Sequence, residues 1–108
     1  MRQLFIVLTV LGLGSPAFAQ TAAPGTITMI RTGWATDSFA VVLNQTVKNP
    51  KGCSTPDGYE SEASYPGHST YLQAALAAYT STRHVSVTVD NTKCSSSGRP
   101  VMMGINIQ

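Results

Sequence analysis

Charge is what this sequence has least of. Its 108 residues carry seven Lys or Arg and five Asp or Glu, a formal net charge of +2. No basic stripe or cationic amphipathic stretch occurs, which argues against nucleic acid and against membrane-surface binding as partners. Long hydrophobic runs are also missing. The longest, Leu4–Leu13 (LFIVLTVLGL), is too short to span a bilayer comfortably. Gly33, Gly58 and Gly67 are isolated turn glycines, so no phosphate-cradling loop is present. There is a single tryptophan and no internal repeat.

Cysteine is scarce too. Cys53 and Cys94 allow only one intramolecular pairing. Structural zinc ligands usually come in close pairs, and no two of Cys53, His68, His84 and Cys94 form one. No metal or other cofactor is therefore expected. A disulfide is expected instead, because the leader predicts export. Arg2 is a short positive start, Leu4–Leu13 the apolar region, and Ala17-Phe18-Ala19 a small-x-small cleavage signature. The reading is a signal peptide over 1–19, cut after Ala19, and one secreted or periplasmic domain over 20–108. Closing the Cys53–Cys94 loop should contribute roughly 4 kcal/mol in the chain-entropy model. Asn44-Gln45-Thr46 is a formal glycosylation sequon, which would be a chance match in a bacterial chain.

The pattern along the mature chain is mostly period two. Thr21–Pro24 reads as a loose lead-in. Thr26–Thr32 follows as a strand with Ile27 and Met29 on one face. Gly33–Ser38 is a turn, and Phe39, Val41 and Leu43 mark a second, hairpin-paired strand. Lys48–Gly58 is a loop whose prolines forbid a central strand. Tyr59–Tyr65 holds at most a short third strand. Ser69–Ser81 is the helix, with Leu72, Ala75, Leu76 and Tyr79 as its apolar face. Val85, Val87 and Val89 define a fourth strand; Val101, Met103, Ile105 and Ile107 define a fifth. This order predicts a mainly β protein, a five-stranded OB-type barrel with its helix between strands three and four.

Candidate catalytic residues are weak. Gly67-His68-Ser69 resembles part of a nucleophile elbow, but Tyr71 stands where that turn needs a small residue. Ser69 is better placed to cap the helix, accepting an N–H from its first turn. Glu60 and Glu62 lie in a polar loop and read as solvated. His84, Asp90 and some serine form a triad on paper only. No catalytic residue is expected, and binding is the default. The aromatic residues Trp34, Tyr59 and Tyr65 are the ligand-binding candidates. The helix face bearing Thr70, Ala74, Ala77 and Ser81 has no charge and suits close approach of other subunits.

The run LQAALAAYTSTRHVSVTVD…C…GRPVMMGINI, with the earlier GTITMIRTG, resembles small secreted OB-fold proteins related to AB5 toxin B subunits. The subtilase-cytotoxin and pertussis-like B subunits are the nearest comparison. The resemblance implies an OB fold, a homopentameric ring with helices toward its pore, a separate A subunit, and glycan binding on the barrel's side. Those subunits carry a sialic-acid-contacting serine ahead of the first strand. Pro24 precedes Gly25 here, so that contact is not carried over. The alternative expectation is a monomeric exported domain for protein interaction or inhibition, with no toxin partner.

Overall fold

The computed structural model describes residues 19–33 and 36–108. The expected leader up to Phe18, and Trp34, lie outside them. The described chain forms β1 (Gln20–Gly33), β2 (Thr36–Leu43), β3 (Tyr59–Ser61), α1 (His68–Ser81), β4 (His84–Cys94) and β5 (Pro100–Ile107). The architecture is mainly β: five strands close in a ring in the order β1-β2-β3-β5-β4, and one helix packs on it. Every pairing is antiparallel except β3 with β5.

Closure depends on β1, which serves two neighbours in succession. Gln20–Thr26 pair with β4, and Ile27–Gly33 pair with β2. The segment expected as a loose lead-in is therefore the first half of the longest strand. Its Thr-Ala-Ala-Pro composition gives little strand signal. The valine ladder of β4 supplies the pairing instead, with Ala22 opposite Thr88 and Ala23 opposite Val87.

The core holds Ala23, Ile27, Phe39, Val41, Leu43, Tyr59, Val85, Val87, Val89 and Met102, with Ala75 and Ala78 from the helix. Two bulges decide which side chains enter it. Between Ile27 and Met29, Thr28 is an extra residue opposite Leu43 and Val42. Alternation shifts there, so Met29 turns out and is 50 % exposed while Ile30 packs on the core. Between Gly104 and Met102, Met103 is the extra residue opposite Thr88 and Val89. Met102 is therefore fully buried and Met103 is not, while Ile107, opposite Val85 at the strand's end, is 40 % exposed. Strict period two had put Met29 with Ile27 and Met103 with Val101. One unpaired residue in each strand overturns both placements.

The helix starts one residue early and is rotated from its expected face. Gly67 is the N-cap, in the left-handed region at φ 87°, ψ −1°, and no side chain caps the end. Tyr71 N–H donates to the Gly67 carbonyl at 2.8 Å. Ser69 sits inside the first turn, exposed, and is not the cap. Ala75 and Ala78 are the buried helix residues, with Tyr71 and Leu72 packed beside them. Leu76 and Tyr79 face outward at 46 % and 45 % exposure. Small alanines let the helix axis approach the ring, so the buried stripe follows Ala75 and Ala78 rather than the larger side chains. At the other end Arg83 N–H reaches back to the Ala78 carbonyl at 3.0 Å.

The cap geometry separates two substitutions. A Cβ on Gly67 would lie 2.8 Å from Tyr71 Cζ, on a backbone that L-residues rarely adopt. Gly67→Ala should cost about 1–3 kcal/mol, and Ser69→Ala should stay within about 0.5 kcal/mol of wild type. Urea unfolding of both variants checks this; the reverse order of stabilities would restore Ser69 as the cap.

Candidate functional site

A groove lies where β1 passes from β4 to β2. Its volume is about 460 Å³, within the range of small-ligand sites. Pro24 and Gly25 of β1, Asn44, Gln45 and Thr46 after β2, Lys48, and His84 at the start of β4 line it. Three chain segments meet there because Thr26 pairs with His84 while its neighbour Ile27 pairs with Leu43.

The groove is held by backbone-directed bonds. Asn44 N–H donates to the Thr26 carbonyl at 3.0 Å, and Asn44 Oδ1 accepts from Thr26 N–H at 2.9 Å. Glycine at 25 permits that approach, since a Cβ there would meet Asn44 Oδ1 at 2.9 Å. Lys48 N–H donates to the Tyr59 hydroxyl at 2.7 Å. Asn49 then closes the following turn, accepting from Cys53 N–H at 2.7 Å and donating to its carbonyl at 3.0 Å. His84 Nδ1 meets Gln108 Oε1 at 2.8 Å, tying the start of β4 to the residue that follows β5. No carboxylate lines the groove. It offers amides, a hydroxyl, an imidazole and one ammonium, the donors and acceptors that suit a hydroxyl-rich or anionic small molecule.

The aromatic candidates fall elsewhere. Tyr59 is 1 % exposed, so it cannot stack on a ligand. Its ring fills the core while its hydroxyl supports Lys48, and burial pushes the phenol's pKa up. Tyr65 is half-buried, 6.3 Å from the Tyr71 ring, with Lys93 Nζ 5.9 Å from its centroid. Part of its surface is thus engaged by the chain itself, away from the groove; burial, then Tyr71 and Asp90, push its pKa up. Trp34 lies outside the described residues. The helix residues Thr70, Ala77 and Ser81 are exposed and Ala74 is half-buried. Ser81 Oγ donates to the Ala77 carbonyl at 2.6 Å.

A second cluster joins the β3 region to the β4–β5 loop. Glu60, expected in a solvated loop, is 2 % exposed. Its Oε1 accepts from Ser95 Oγ at 2.6 Å and from Ser97 Oγ. Ser97 Oγ also accepts from Arg99 Nη1 at 2.8 Å, so one hydroxyl relays between the guanidinium and the buried carboxylate. Arg99 Nε donates to Asp57 Oδ1 at 2.6 Å, and Arg31 reaches Asp57 Oδ2 at 2.9 Å. Glu62 accepts from the Ser96 hydroxyl and, at 3.2 Å, from its N–H. Cys53 and Cys94 are disulfide-bonded beside these contacts. Each of these three carboxylates is hydrogen-bonded or ion-paired, so the cluster joins the β3 region to the β4–β5 loop.

Among the described residues, Ser61 Oγ lies 2.9 Å from His68 Nδ1. Ser61 has no exposed surface, and the His68 ring packs 5.3 Å from Phe39. Among the described residues, no group of three or more His, Cys, Asp or Glu is placed to hold a metal. No described helix is long and apolar enough to cross a membrane.

No protein-family model, curated protein or solved structure matches this chain.

Asp57 gives the cluster a pH signature. The Arg99 hydrogen bond holds its carboxyl below the ordinary value, opposed by desolvation and reinforced by Arg31. A lowered folded pKa means the contribution is complete above the unfolded pKa, about 4, and is lost as pH falls through the folded value. Asp57→Asn should therefore be less stable than wild type at neutral pH, with the gap closing below about pH 4. Urea midpoints from acid to neutral pH measure it; a gap that stays constant to the acid limit would contradict this role.

Proposed function

We propose that this protein is an exported, non-catalytic carbohydrate-binding subunit built on an OB-type barrel, of the B-subunit kind. Ring order β1-β2-β3-β5-β4, with β3 parallel to β5 and the helix between β3 and β4 in the chain, supports the OB-type reading. The Cys53–Cys94 disulfide is compatible with a secreted or periplasmic location, as is the leader-like sequence.

The observation that carries the functional reading is the groove between β1, the segment after β2, and His84. Its lining can exchange hydrogen bonds with sugar hydroxyls, and Lys48 with His84 would favour an acidic sugar over a basic ligand. Association into a homopentameric ring, with a separate A subunit as partner, is the assembly part of the proposal. It draws on the helix, which has no charged residue from Ser69 to Thr82 and exposes Leu76 and Tyr79. A solvated helix face of that composition suits burial against further copies.

A glycan array carrying sialylated and neutral glycans tests the sugar reading. Binding is expected, and Lys48→Ala and His84→Ala should each weaken it roughly tenfold, as loss of a hydrogen bond does when one partner is charged. Silence across the array would remove the carbohydrate reading. Native mass spectrometry tests the ring: a five-fold mass supports it, and a monomer at micromolar concentration leaves the monomeric interaction domain instead.

A further inference from the structure

Among the described residues, the first one paired in the sheet is Gln20. It stands opposite Asp90, and each residue from Thr21 to Thr26 follows in register with β4. The small-x-small signature ending at Ala19 puts the expected export cut one bond before that residue. Cleavage there would leave the whole β1–β4 ladder intact and make glutamine the first residue of the mature chain.

We propose that Gln20 is a modification site, cyclising to pyroglutamate once export has freed its α-amine; this rests on the export reading above. The α-nitrogen attacks the side chain's own Cδ. A new N–Cδ bond forms, the Cδ–Nε2 bond breaks, and Nε2 leaves as ammonia with a proton given up by the amine. Nothing is oxidised or reduced, and no co-reactant is consumed.

The surroundings fit the product. The Gln20 side chain is exposed, so folding does not bury the amide that must react. Thr21 holds the chain immediately behind it, pairing with Val89 and donating from Oγ1 to Asn91 Oδ1 at 2.6 Å. Ring closure therefore changes one residue and does not pull on the strand. Unlike proline, the lactam keeps an N–H, so the ladder loses no donor. The α-ammonium charge disappears. Asp90 across the ladder does not rely on that charge, because its Oδ1 already accepts from Thr92 N–H at 2.7 Å and Thr92 Oγ1 at 2.6 Å. A closed ring in place of a free amine also denies aminopeptidases their substrate, which is useful to a protein outside the cytoplasm.

The test is mass spectrometry of the N-terminal peptide from protein recovered after export, with stepwise N-terminal degradation in parallel. The expected peptide begins at residue 20 and is lighter by one ammonia. Degradation should be blocked until pyroglutamyl aminopeptidase removes the first residue. An unmodified glutamine at position 20 after prolonged neutral incubation would overturn the cyclisation and leave the cut standing. A peptide beginning elsewhere would overturn both. Gln20→Ala should be exported with a free alanine start; a block that persists in this variant would show that glutamine chemistry is not its source.

Discussion

The ring closes through its weakest strand. β3 has three residues, and its parallel pairing with β5 is registered at one residue pair, Glu60 with Val101. So short a ladder cannot hold a seam by itself. The closure is made by side chains and by one covalent bond. Cys53–Cys94 ties the segment before β3 to the end of β4 across 41 residues. In the chain-entropy view that link contributes about 4 kcal/mol, a large part of a small domain's stability. Thr55 N–H donates to the Gly98 carbonyl at 2.8 Å beside it. Glu60 then accepts two serine hydroxyls from the facing loop, and Arg99 reaches Asp57. Buried charges of this kind are costly unless each has a partner, so the cluster specifies one arrangement of loop and strand.

The same closure positions the groove. Tyr59, locked into the core beside Glu60, presents its hydroxyl to the backbone of Lys48. Asn49 folds the next turn onto Cys53, whose sulfur is in the crosslink. From the other side Asn44 grips Thr26, where β1 passes between its two partners. The groove's walls are thus set by the seam on one side and by the β1 handover on the other. The groove's shape is therefore set by paired backbone and by the crosslinked turn.

Element order, strand count, helix position in the chain and the cysteine pairing were all legible in the sequence, because each rests on periodicity or on counting. Side-chain direction was less so. Thr28 and Met103 are bulge residues, and nothing in their identity announces it; the partner strand decides which residue is left over. The helix face was misjudged because Leu76 and Tyr79 are larger than Ala75 and Ala78, whereas close packing on the ring selects the small ones. Glu60 read as solvated in a polar loop and Tyr59 as a candidate ligand contact, whereas both are buried. Their burial follows from partners some 35 residues later in the first case and 11 earlier in the second. The groove was hidden for the same reason: its lining comes from three separate segments. Asn44-Gln45-Thr46 was visible as a sequon, and only topology sets it beside His84.

Native-state hydrogen exchange on the Cys53→Ala/Cys94→Ala double variant tests the seam most directly. If the crosslink and its polar neighbours hold the ring shut, protection should fall first and most at the Tyr59–Ser61 amides, while the β1–β2 and β4–β5 ladders stay protected. Unchanged protection in β3, or an even loss across all five strands, would contradict the claim that this joint is what closes the ring.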